Sequence, residues 1–101
     1  MSARLHITVY RHLAVDDFNR VTPIPMVPPV TEMFVEIGAT SSQSDPFPKF
    51  SRFIMVKPDV SCALDFGTDP VANPDYHFVE AGERMWYGVE EGDKIAVVEV
   101  I

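Results

Sequence analysis

The sequence predicts an all-β protein: a single-domain β-sandwich, jelly-roll-like, with about seven to eight short strands. Three observations carry this. Apolar and polar residues alternate over short runs, the period of a half-buried strand. Clusters of Gly, Pro, Asn and Asp separate those runs. No stretch holds a helical period for the length of a helix. Short strands closely spaced by such turns are the pattern of a sandwich or barrel.

In chain order, residues 3–10, ARLHITVY, put Leu5, Ile7 and Val9 on one face and Arg4, His6, Thr8 and Tyr10 on the other. That is a strand with one buried face. In RHLAVDDFNR, Asp16 and Asp17 can close local turns through their side chains, so residues 11–20 are expected as a loop or turn. Residues 21–30, VTPIPMVPPV, carry Pro23, Pro25, Pro28 and Pro29. Each proline lacks an N–H and holds the residue before it extended, which excludes a helix or a central strand. Two readings stand: an irregular edge strand on its own domain, or an extended arm reaching a neighbouring subunit. Val21, Ile24, Met26, Val27 and Val30 are available to lie on apolar surface.

Residues 31–38, TEMFVEIG, set Met33, Val35 and Ile37 against Glu32, Phe34 and Glu36, a strand closed by Gly38. ATSSQSDPFP is expected as an exposed loop. Phe50–Gly67, FSRFIMVKPDVSCALDFG, reads as a hairpin turning at Lys57-Pro58-Asp59. Phe53 and Met55 would face inward before the turn, and Val60, Cys62, Leu64 and Phe66 after it. TDPVANPD is a surface turn, and Tyr76–Glu80 and Arg84–Val89 are short strands. Glu90–Asp93 turns into the final strand, Lys94–Ile101, whose two apolar faces place it centrally or against a partner. The expected core is Leu5, Ile7, Val9, Val35, Ile37, Phe53, Met55, Cys62, Leu64, Phe66, Ile95 and Val97.

Composition narrows the function. A chain of 101 residues makes one domain, long enough to bury roughly 65% of its unfolded surface. The formal charge of −7 argues against non-specific nucleic-acid binding, which needs a basic face, and favours either solubility or a partner with basic surface. No run has the length of a membrane span, and no leader of the secretory type opens the sequence. The single cysteine, Cys62, cannot make an intrachain disulfide and sits on an apolar row, so it reads as a buried, unreactive thiol.

No constellation points to catalysis. His6, His12 and His77 are not paired at the spacing of a zinc site. Asp65–Asp69 lacks the remaining ligands of a calcium loop. Ser41, Ser42, Ser44 and Ser61 have no nucleophile-elbow context, and Glu90 and Glu91 read as the acidic edge of a turn. The expectation is no enzyme, no metal and no cofactor. Trp86 and Tyr87 point to opposite faces of their strand, Tyr87 inward with Met85. Trp86 is then an exposed tryptophan covered by a loop, an interface anchor, or a sugar-stacking platform.

Four pieces resemble small structural proteins encoded among the virion genes of tailed phages and prophages. They are SRFIMVKPDVSCALDFG, the loop GTDPVANPD, the stretch VEAGERMWYGVEEGDKIAVVEV with its tyrosine-glycine step, and the early LHITVY. The resemblance implies a non-enzymatic virion protein, made in the bacterial host cytoplasm and attached to the major capsid protein as a decoration or cement subunit. The alternatives are a tail or head-tail accessory protein, or a free binding module for carbohydrate or a host surface.

The apolar content of residues 21–30, a segment that cannot join a central ladder, leads to the expectation of a homo-oligomer, a trimer or dimer. The expected partner interface is Ile24, Met26, Val27, Val30 and Trp86, with neither nucleic acid nor membrane as partner. The acidic residues of the turns, Asp16, Asp17, Asp69, Asp75, Glu90, Glu91 and Asp93, would orient the subunit against basic capsid surface.

Overall fold

The computed structural model describes residues 3–15, 21–25 and 27–100, with 14, 15 and 21–24 through their backbone alone. Among the described residues ten strands follow one another: β1 (Arg4–Tyr10), β2 (Leu13–Val15), β3 (Val21–Pro25), β4 (Thr31–Glu36), β5 (Ser42–Gln43), β6 (Phe53–Pro58), β7 (Cys62–Gly67), β8 (Phe78–Val79), β9 (Met85–Gly88) and β10 (Lys94–Glu99). Among the described residues there is no helix, and so none to cross a membrane.

Eight of the strands form two antiparallel sheets of four, ordered β4-β1-β6-β9 and β5-β10-β7-β8, and β2 pairs antiparallel with β3 in a separate two-stranded hairpin. From β4 onward every connection except β7–β8 passes from one sheet to the other. That alternation wraps the chain as a jelly roll, with β1 in the slot between β4 and β6. The sandwich expected from the turn-separated alternating runs is therefore the fold.

The inner faces meet in one apolar core. β1 contributes Leu5, Ile7 and Val9, β4 contributes Val35, and Ile37 follows it. β10 lies between β5 and β7, as its two apolar faces require: Ile95 and Val97 join the main core. Its other face, Ala96 and Val98, joins a smaller cluster with Ala63 and Ala72 on the far side of the sheet. The buried serines are hydrogen-bonded. Ser44 Oγ accepts from the Ile95 N–H at 3.1 Å, and Ser51 Oγ donates to the Pro48 carbonyl at 2.6 Å.

Four expectations are corrected. Phe50–Gly67 is not a hairpin, because β6 and β7 lie in opposite sheets. Tight two-residue hairpin turns need positive φ, and no residue between Lys57 and Ser61 adopts it. Pro58 instead ends β6 opposite Leu5, buried, and Asp59–Ser61 crosses between the sheets. Secondly, the inward face of β6 is Ile54 and Val56, both fully buried, while Phe53 and Met55 are half-buried on the outer face. Phe66, also expected in the core, is half-buried and packs at its margin.

Thirdly, the serine loop is not wholly exposed. Ser42 and Gln43 pair with Val97 and Ala96, and Phe47 is buried in the main core. The amide N–H of Phe47 donates to the Asp93 carbonyl at 2.8 Å, tying the loop to the turn before β10. Finally, Leu13–Val15 is a strand rather than loop, pairing with Val21–Pro25 through a register shift. A two-stranded ribbon consists only of edges, where proline is tolerated, so Pro23 and Pro25 fit it.

Candidate docking surfaces at the hairpin base and the β9 edge

The outer face of the first sheet carries an aromatic stack. Tyr10 stands opposite Phe53, and Met55 opposite Trp86, so residues 10, 53 and 86 share one face. The Tyr10 and Phe53 rings stack at 5.3 Å and 15°. The Trp86 ring is tilted against both, at 5.9 and 6.2 Å. Trp86 remains 51% exposed. A groove of about 510 Å³ runs between this stack and the hairpin base, lined by Leu13, Pro25, Phe53, Trp86, Tyr87 and Gly88.

A second groove, of about 400 Å³, involves the hairpin base too. Arg11, His12, Val27, Val30 and Phe50 line it with Pro28 and Pro29. Val27 is 70% exposed and Phe50 53% exposed. Phe50 has φ 73°, a left-handed conformation costly for a bulky side chain. The turn before β10 holds it there: Glu91 Oε1 accepts the Phe50 N–H at 3.0 Å. Lys49 Nζ lies 5.4 Å from the centre of the Phe50 ring. An exposed aromatic ring on a strained backbone therefore lines the same groove as Val27.

The expected interface residues separate. Trp86 belongs to the first groove and Val27 to the second. Val30 lines the second groove but is half-buried against the core, with its N–H donated to the Val9 carbonyl at 2.7 Å. Ile24 is in β3, its side chain outside the description, and Met26 lies outside the described residues. Reading the sequence missed Tyr10, Phe53 and Phe50. Tyr10 was visible as the aromatic end of the polar face of β1, but nothing in the sequence marks the backbone of Phe50.

The titratable groups sit elsewhere. Asp59, at the crossing between sheets, accepts the Arg4 N–H at 3.0 Å on Oδ2 and meets His6 Nε2 at 3.1 Å on Oδ1. The Arg4 bond outweighs the opposing effect of desolvation and, with smaller contributions from His6 and Lys57, holds its carboxyl below the usual range. Cys62 is buried, and burial pushes its thiol up to about 11. Among the described residues no three His, Cys, Asp or Glu side chains are grouped to hold a metal ion.

The acidic turns divide between the two ends of the sandwich. Asp69, Glu90, Glu91 and Asp93 lie at the end where Gly67 pairs with Lys94, and Asp59, Glu80 and Glu83 at the other. Asp16 and Asp17 lie outside the described residues.

No protein-family model matches the chain, and neither the curated proteins nor the solved structures give a significant match.

Proposed function

We propose that this chain is a non-enzymatic structural protein of a tailed-phage virion, a decoration or cement subunit that binds the major capsid protein and stabilises the head. One observation carries the reading. Val27 and Phe50 stand exposed together in the hairpin-base groove, and Phe50 is held there by Glu91 in a conformation a bulky residue otherwise avoids. Strain of roughly 1–3 kcal/mol is retained where it fixes a functional surface. Apolar anchors that become desolvated supply most binding energy at interfaces, and this groove offers two of them. The four sequence pieces that resemble virion proteins point the same way.

The acidic turn Glu90–Asp93 flanks this groove and would steer encounter with basic capsid surface. Added salt is then expected to slow association and leave dissociation nearly unchanged. The reading is tested by producing the chain together with the head proteins and purifying assembled heads by gradient. Heads that carry the chain support it, and heads that leave it in the soluble fraction overturn it.

A second reading has its own observation, the Tyr10–Phe53–Trp86 stack beside an open groove. Such rings can stack a sugar, as in a free carbohydrate-binding module. A glycan array without binding removes it.

A further inference from the structure

We infer that β9 pairs antiparallel with β9 of a second copy of this chain, about a two-fold axis at Tyr87, so that the β4-β1-β6-β9 sheets of the two copies become one.

β9 is an open edge. It is the last strand of its sheet and, among the described residues, is bonded only to β6. The Val89 N–H donates to the Arg52 carbonyl at 2.9 Å, so the backbone groups of Val89 face β6. Residues two apart in a strand direct their backbone groups to the same side, so Met85 and Tyr87 also face β6. The N–H and C=O groups of Trp86 and Gly88 therefore point outward.

Natural edges are usually blunted by charge, proline or a bulge. At the opposite edge of this sheet, β4 carries exposed Glu32 and Glu36 and follows Pro28 and Pro29. β9, Met-Trp-Tyr-Gly, has none of these devices. The side of the sandwich it occupies also gathers exposed aromatic residues. β4 touches β5, so β8 lies on the β9 side, where Phe78 and Tyr76 are 53% and 70% exposed.

The strand is complementary to itself in one register. With Tyr87 opposite Tyr87, Trp86 falls opposite Gly88 of the second copy, Met85 opposite Val89, and Arg84 opposite Glu90. Trp86 and Gly88 are the residues with outward backbone groups, so each such pair exchanges N–H···O=C bonds in both directions. The indole meets a residue without a side chain, beside Phe53 of the second copy, since Phe53 stands opposite Gly88 within each sheet. Met85 and Val89 continue the inner apolar row.

Charge agrees with shape. Arg84 and Glu90 are exposed, and among the described residues neither has an ion-pair partner. Cross-strand opposite charges stabilise a sheet, and like charges oppose it. The remaining like pair, Glu83 and Glu91, is relieved because the Glu91 carboxylate is drawn to the Phe50 N–H at 3.0 Å. An axis at Gly88 would set Trp86 against Glu90, and one at Trp86 would set Arg84 against Gly88. Neither makes the ion pair. The pairing stands apart from capsid attachment through Val27 and Phe50, and it is tested without capsids.

The experiment is sedimentation velocity of the purified full chain over a concentration series. The wild type is expected to dimerise. A Cβ on Gly88 meets nothing nearer than the Arg52 carbonyl at 4.0 Å, so Gly88→Val leaves the single subunit folded. Across the axis that side chain would collide with Trp86, so Gly88→Val is expected to sediment as a monomer with an unchanged circular dichroism spectrum. Arg84→Glu and Glu90→Arg should each weaken the dimer, on the order of tenfold over its two symmetric pairs, and the double substitution should restore it. A wild type monomeric at about 100 μM, or a double variant as weak as the singles, overturns the inference.

Discussion

His77 and Tyr87 fasten the two sheets together along one side of the sandwich. His77 Nε2 lies 2.7 Å from the Tyr87 hydroxyl, linking the approach to β8 with β9. His77 holds φ 53°, and its carbonyl accepts the Leu64 N–H at 3.1 Å. Phe66 packs against both rings, at 5.8 and 5.0 Å. Tyr87→Phe keeps the ring cluster and removes only the hydroxyl. It is expected to lower stability by about 1 kcal/mol, the net worth of one hydrogen bond, read as a shift in the urea midpoint at unchanged slope.

Cys62 makes stability fall at alkaline pH. Its thiol is raised to about 11 by burial, so the folded state holds the proton more tightly than the unfolded chain. The stabilisation is complete below the ordinary thiol value and is lost as pH rises from about 8.5 towards 11, roughly 3 kcal/mol in all. Burial first, then the charges of Cys62 and Glu83, also raise Tyr87, which adds to the same slope. Melting temperatures measured from neutral to alkaline pH should decline more gently in Cys62→Ala. A thiol reagent at neutral pH should label the wild type only on unfolding.

Asp59 acts at the acid end with the opposite sign. Its folded carboxyl is lowered, chiefly by the Arg4 N–H and then by His6, so it binds protons less readily than in the unfolded chain. The stability it adds is present above about pH 4 and is lost as pH falls through the lowered folded value. Asp59→Asn should therefore lower the melting temperature at pH 6, and the difference from wild type should shrink towards pH 2.

The side chains of β6 test the register of the first sheet. Ile54 is fully buried, while its neighbour Phe53 is half-buried on the outer face. Ile54→Ala should cost about 2–5 kcal/mol through lost transfer energy and the cavity left behind, and Phe53→Ala less. Equal losses in chemical denaturation would place β6 the other way round.

This strand also marks where the sequence became unreadable. β1 and β4 have mostly polar residues on their outer faces, with Phe34 flanked by Glu32 and Glu36, so alternation alone gave their inward sides correctly. Phe53–Val56 is apolar on both faces because the outer one supports the aromatic stack, and parity cannot be read from four consecutive apolar residues. β10 has the same double-sided character, and there it correctly indicated a central strand. Leu13–Val15 could not be recognised, because its pairing comes from a segment whose prolines argue against a ladder. Of the site, Trp86 and Val27 were legible as apolar residues with no place in the core. Phe50 was not, since its position depends on a carboxylate from a distant turn, Glu91.

Capsid attachment is tested most directly by saturation binding to assembled heads that lack the chain, read by co-sedimentation. The wild type is expected to saturate at a fixed number of copies per capsid lattice unit. Val27→Asp and Phe50→Ser, which empty the hairpin-base groove of its exposed anchors, should each bind at least about tenfold more weakly, as hot-spot truncations do. Wild-type binding that never saturates, or variants that bind as tightly as the wild type, would contradict attachment through this groove.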